Sequence, residues 1–168
     1  ATLATYFRLD IGLIGELKQY QHILYTDTDV YFRQDISLLG NRIHLPETIQ
    51  MGYERYDHYP LNAGIILASM PFLSSTHEDL IQSLLSDKSV DDENFGPVDQ
   101  GVLNRVYEKQ LQLEGPLSKA LNAKPYHNFL PNASIIHFHG PKITDYAAYA
   151  VQNTCRFDDL CKQGLSAG

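Results

Sequence analysis

Apolar residues fall at helical spacing early in the chain, at Leu3, Tyr6, Phe7, Leu13, Ile14 and Leu17, which predicts a helix over residues 2–18 weakened by Gly12 and Gly15. The run Ile23-Leu24-Tyr25 then predicts a strand over 22–26. Asp35 to Leu39 has the composition of one helical turn. A second strand is expected over 49–54, and the stretch L-N-A-G-I-I-L-A-S-M at 61–70, bounded by Pro60 and Pro71, reads as a buried strand followed by a helix from about Phe72 to Leu85. The tract S-D-K-S-V-D-D-E-N-F-G-P is acidic and rich in turn formers, so an exposed loop is expected there. Pro97 then opens a helix reaching about Lys109, with Asp99 near its amino end. Leu121 to Tyr126 and Ala133 to His137 read as two short strands, and Thr144 to Leu160 as a helical tail. Strands interleaved with helices, without a repeat or an interdomain linker, predict one α/β domain with a mainly parallel or mixed sheet flanked by helices.

With 168 residues, 43% of them hydrophobic, the chain is long enough to bury the core of one domain. Twenty acids against 13 bases give a formal charge of -7 with no basic block, which argues against nucleic acid or an anionic membrane as partner. An anionic ligand therefore calls for a metal or a few placed cations. No apolar run approaches the ~20 residues that span a bilayer, and the chain opens without Met or a signal-peptide pattern. It is expected to be a piece of a longer protein. Cys155 and Cys161, with five residues between them and no further Cys, do not make a zinc site; a local disulfide and free thiols fit equally.

Chemistry concentrates in three places. In Y-T-D-T-D-V, an apolar strand drives into Asp27 and Asp29, which at a strand's carboxyl end can share a divalent cation facing a diphosphate. On its own the motif is more often a polar strand-to-turn junction. Asn62 opens a buried strand, where an amide either caps a turn or bonds a ligand at the sheet edge. In I-I-H-F-H-G-P-K, His137 and His139 would share one strand face, Gly140 lets the backbone pass close to a ligand, and Lys142 follows. A histidine there can complete the aspartates' metal site and the lysine can bind phosphate, although either histidine alone fits a structural role.

Taken together and in order, these blocks resemble the family 8 glycosyltransferases, retaining enzymes that include glycogenin and the bacterial lipopolysaccharide galactosyltransferases. T-Y-F-R-L-D is similar to the helix before the family's metal motif, I-L-Y-T-D-T-D-V to its D-x-D strand, L-N-A-G to its N-A-G strand, D-Q-G-V-L-N to its D-Q-x-x-L-N helix start and H-F-H-G-P-K to its closing histidine block. The resemblance spans about residues 4–142. It implies the GT-A type nucleotide-diphospho-sugar transferase fold and manganese, or another divalent cation, held by Asp27, Asp29 and His137. It further implies donor contacts from Arg8, Asn62, Ala63, Gly64, Gly140 and Lys142, with Asp99 and Gln100 at the anomeric carbon. The implied donor is a nucleotide sugar, a UDP-hexose first, and the acceptor a saccharide, lipid-linked glycan, protein or polyol. The departures are Lys142, one residue early, and Ile143-Thr144 in place of the family's Pro-Trp.

Family members begin with strands that hold the nucleotide base, and nothing precedes the first helix here. These residues alone are accordingly expected to fold marginally at best and to transfer sugar poorly. A non-catalytic sugar-nucleotide-binding domain, an inverting transferase and a nucleotidyltransferase of the same fold class are the alternatives. The resemblance places a eukaryotic bearer in the Golgi or secretory pathway and a bacterial one in the cytoplasm.

Overall fold

The structure, a computed structural model, describes residues 3–35, 43–54, 60–86, 94–124, 130 and 133–139. Among the described residues, four strands, β1 (His22–Thr26), β2 (Val30–Phe32), β3 (Ile49–Tyr53) and β4 (Leu61–Ser69), precede three helices, α1 (Met70–Ser86), α2 (Val98–Val106) and α3 (Glu108–Glu114), and a fifth strand, β5 (Ile135–His137), follows them. The strands expected over 22–26, 49–54 and 61–70 and the helices after 70 and 97 are present with these bounds. The helical turn at 36–39, the 144–160 tail, Gly140, Lys142 and both cysteines lie outside the described residues.

The sheet departs from expectation. Strand order is β1-β4-β3 in one sheet and β2-β5 in another, and every ladder is antiparallel; the one parallel pairing described is the isolated bridge Ala123 to Ile136. The mainly parallel or mixed sheet was expected from strands interleaved with helices, but β1 to β4 follow one another with no α-helix between them among the described residues, so no helical crossover sets them parallel; the apolar run of β4 reflects cover on both faces. β4 is the central strand, with Leu61, Ala63, Ile66 and Ala68 packed against Leu9, Val102, Tyr107 and the other residues of one core, and Ile65 and Leu67 against Leu117, Leu121 and Ile135 of a second.

Those two sets expose a kink in β4. Odd positions 61 and 63 face the first core, yet beyond Gly64 the even positions 66 and 68 face it. The same break shows in the pairing, where Met51 opposes Ile66 but Gly52 opposes Asn62. Residues 63–65 are thus bulged out of register, as strands often are where a site must be built.

Before β1 runs a 3-10 helix, Leu3–Leu13, with a further turn at Gly15–Leu17, where an ordinary helix was expected over 2–18. Its inward positions, Tyr6, Leu9 and Gly12 on one line and Arg8 and Ile11 on another, recur every three residues, the period of that tighter helix. Gly12 lies flat against α1: a β-carbon there would sit 2.5 Å from the Leu73 carbonyl oxygen. Residues 121–124 are not a strand; 119–121 form a short 3-10 turn and Ala123 makes a single bridge. β2 was not foreseen, because V-Y-F is too short to show a period.

β1 pairs with β4 on one side. Along its other side runs a cleft of about 480 Å³ lined by four consecutive residues, His22 to Tyr25, together with Phe7, Ile11 and Ile14. Consecutive residues point to alternate faces, so this cleft follows the strand's edge. Among the described residues, no helix is long and apolar enough to cross a membrane.

Candidate metal and sugar site

Because β4 runs antiparallel to β1, its amino end lies at the carboxyl end of β1, and Asn62 and Asp27 arrive at the same sheet edge. The Asp27 amide donates to the Gly64 carbonyl oxygen at 2.7 Å, fixing the D-T-D turn against the bulge. That turn leads into β2, whose pairing with β5 sets Val30 opposite His137; the Phe138 amide donates to the Asp29 carbonyl oxygen at 2.8 Å. The short strand missing from the sequence reading is therefore what brings His137 to the aspartates.

Ligand atoms of Asp27, Asp29 and His137 lie within 4.8 Å of one another. His137 is buried, with Nδ1 at 3.0 Å from Asn122 Oδ1, so Nδ1 carries the proton and donates, and Nε2 presents its lone pair. Nε2 makes no hydrogen bond and lies 3.5 Å from Asp29 Oδ1. Two electron-rich atoms facing one another at that distance suit a cation between them, so the donor set fits a divalent metal. Gly64 is required beneath it: a β-carbon at that position would come within 2.2 Å of His137 Cε1.

Burial first, and then the nearby Lys124 charge, push the His137 imidazole down to about 4, against the pull of Asp29. It is thus neutral, the ligating form, at physiological pH. The folded value lies below the ordinary 6.5, so on acidification the unfolded chain takes up this proton first. In chelator, the His137 contribution to stability should be intact above pH 6.5 and decline by about 3 kcal/mol as pH falls towards 4. Urea unfolding at stepped pH measures it, and a His137→Gln variant with an equally steep acid limb would assign the loss to other groups.

Arg8 closes the inner side. Its Nη2 lies 3.1 Å from Asp27 Oδ1, its Nε 2.5 Å from Asp99 Oδ2 in an ion-pair contact lacking hydrogen-bond geometry, and Nη1 donates to the Ala63 carbonyl oxygen at 2.5 Å. The guanidinium also sits 5.1 Å from the Tyr25 ring centre. All three nitrogens are thus engaged with protein groups. Tyr25 donates its hydroxyl to Asp27 Oδ1 at 2.7 Å; burial, followed by this bond, pushes its pKa up to about 12, keeping it a donor.

Asp99 and Gln100 sit in the first turn of α2, both buried. Just before them Gly96 and Val98 have positive φ, 91° and 54°, a strained conformation for a β-branched residue and one that turns the helix start towards the bulge. Burial raises the Asp99 pKa in spite of Arg8. Gln100 Oε1 accepts from Asn62 Nδ2 and from the Ala63 amide, both at 3.2 Å, while Asn62 Oδ1 accepts from the Gly64 amide at 3.0 Å. Asn62, Ala63, Gly64, Asp99 and Gln100 therefore form one wall beside the aspartates and His137.

Several participants were missed. Asn104 pairs with both backbone groups of Leu61, accepting at 2.9 Å and donating at 2.7 Å, and so ties α2 to the start of β4. Tyr25, Asn122, Glu54 and Lys124 also surround the site. Tyr25 alone carried a signal, two residues before Asp27 and hence on its side of the strand.

No protein-family model matches this chain, and no curated protein sequence matches it. Solved structures do. A glycosyltransferase, GlyE from Streptococcus pneumoniae TIGR4 in its apo form, superposes with a TM-score of 0.65 over 97% of this chain at 16% identity. The chain has a glycosyltransferase fold. The galactosyltransferase LgtC, solved with donor and acceptor sugar analogues, matches with a TM-score of 0.57 over 84% of the chain at 17% identity, and mouse xyloside xylosyltransferase 1 with 0.58 over 82% at 14%. The chain spans 46% of the GlyE chain, 60% of LgtC and 63% of the xylosyltransferase. The fold expectation thus holds at the level of glycosyltransferases, without the parallel sheet.

Proposed function

We propose that these residues form the metal and sugar site of a retaining glycosyltransferase, which moves a hexose from a UDP-sugar to an acceptor. The observation carrying this reading is the joining of Asp27, Asp29 and His137, within 4.8 Å, to the Asn62, Asp99 and Gln100 wall at one sheet edge. Bound there, a divalent cation, with manganese suited to a mixed carboxylate and imidazole set, supplies positive charge for the departing diphosphate. Gly140 and Lys142, following His139, are assigned to the diphosphate, and Ala63 and Gly64 to the donor sugar.

Retention requires either a carboxylate nucleophile or attack from the leaving-group face. The Asp99 carboxylate is held by Arg8 at 2.5 Å, and Gln100 beside it is an amide, a poor nucleophile. This favours front-face attack, with Asp99 and Gln100 orienting the sugar and stabilising its developing positive charge. In the full natural protein containing these residues, manganese-dependent release of UDP from UDP-glucose or UDP-galactose is expected, with retained configuration by NMR. Asp99→Asn should lower turnover about 10- to 100-fold while leaving UDP affinity within about twofold, since the residue acts on the transition state. Normal turnover in that variant would remove Asp99 from the mechanism. UDP binding without any turnover would make this a binding domain.

A further inference from the structure

Lys124 is almost wholly enclosed, with 1% of its side chain exposed, an environment that costs an ammonium several kcal/mol unless its charge is matched. Its Nζ donates to the Tyr53 carbonyl oxygen at 2.9 Å and to the Glu54 carbonyl oxygen, and lies 3.8 Å from Glu54 Oε2. Glu54 follows directly on β3, just past the irregular register at Gly52. Packing alone would be served by an apolar side chain, so a buried charge at this place points to a task.

We infer that Lys124 is a positioning residue, holding the Glu54 carboxylate on the wall of the site so that Glu54 accepts hydroxyl groups of the transferred hexose. Glu54 Oε2 accepts from Asn62 Nδ2 at 2.7 Å, the same amide nitrogen that reaches Gln100 Oε1 at 3.2 Å, which joins the carboxylate to the donor-sugar wall. The other oxygen, Oε1, lies 3.5 Å from Nδ1 of His139, a rim residue with 40% of its side chain exposed. One oxygen is thus anchored inward and the other lies towards the open rim, with 20% of the Glu54 side chain reaching solvent. Burial would favour the neutral acid, but Lys124, the Asn62 hydrogen bond and His139 outweigh it and hold Glu54 below the ordinary carboxylate range. An ionised carboxylate is an acceptor only, and sugar hydroxyls are donors.

This inference rests on the glycosyltransferase reading, and its test separates the two. The probes are manganese, UDP, UDP-glucose and UDP-galactose with the full natural protein, water serving as the acceptor so that only the donor sugar is involved. Glu54→Gln and Lys124→Met should each slow UDP release about tenfold or more while leaving manganese and UDP affinities within about twofold. The double variant should lose little beyond the larger single loss, because Lys124 acts through Glu54. Losses that multiply, or hydrolysis unchanged in Glu54→Gln, would overturn the inference. Should Lys124→Met fail to fold, Glu54→Asp, which keeps the charge but shortens the reach, must still lose about tenfold in UDP release; wild-type rates would again overturn it. A wild-type protein that binds neither manganese nor UDP would remove the glycosyltransferase reading and this inference with it.

Discussion

The Asp29→Ala variant is expected to bind manganese at least about a hundredfold more weakly than the wild type. Disturbing the outer partners of a metal ligand alone costs 10- to 100-fold in affinity, and here a ligand itself and one negative charge are removed. Asp27 would be a less direct choice, because its Oδ1 accepts from Tyr25 and pairs with Arg8, which its loss would disturb as well. Paramagnetic relaxation of water protons in a manganese titration with UDP present measures the effect. Undiminished binding would remove Asp29 from the metal site.

Replacing Arg8 by Met should destabilise the fold by about 3–5 kcal/mol, the range for removing one member of a buried ion pair. Most of that loss belongs to Asp99, whose side chain is only 5% exposed and would keep a buried charge without its partner; Asp27, at 30%, reaches water and loses less. The Ala63 carbonyl oxygen would lose its donor as well. Adding Asp99→Asn to Arg8→Met should recover part of the stability, because it deletes the stranded charge. Urea denaturation of the single and double variants reads both numbers, and a loss below about 1 kcal/mol for Arg8→Met would show that the guanidinium is not needed to hold the carboxylates together.

The sequence made the cluster of Asp27, Asp29 and His137, which could hold a metal, legible for a simple reason. Asp27 and Asp29 abut a strand with an evident apolar run, and the histidine block follows another, so strand ends alone located them. That Asn62, Ala63, Gly64 and Gln100 come together was legible through the order of the L-N-A-G and D-Q blocks. The contacts of Arg8 with Asp27, Asp99 and Ala63 were not legible, because a lone cation in a helical pattern carries no mark of which carboxylates will surround it. The antiparallel ladders were not foreseen because the sheet was judged from strands interleaved with helices, whereas the described β1 to β4 follow one another before the first α-helix. Glu54, Asn122 and Lys124 were invisible because their roles depend on contacts between distant segments, such as that of Lys124 with Tyr53, which no local period encodes.

The parity change at Gly64 has a meaning for anyone altering this protein. Removing residues 63–65 would let the rest of β4 alternate without interruption and pair regularly with β3, the arrangement that a procedure rewarding ideal strands would select. Gly64 would be lost from beneath His137 and the Ala63 carbonyl from Arg8, and Asn62 would leave Gln100. The regular sheet and the assembled site are competing solutions for β4. Optimising the scaffold at this strand would yield a sounder fold with its chemistry erased.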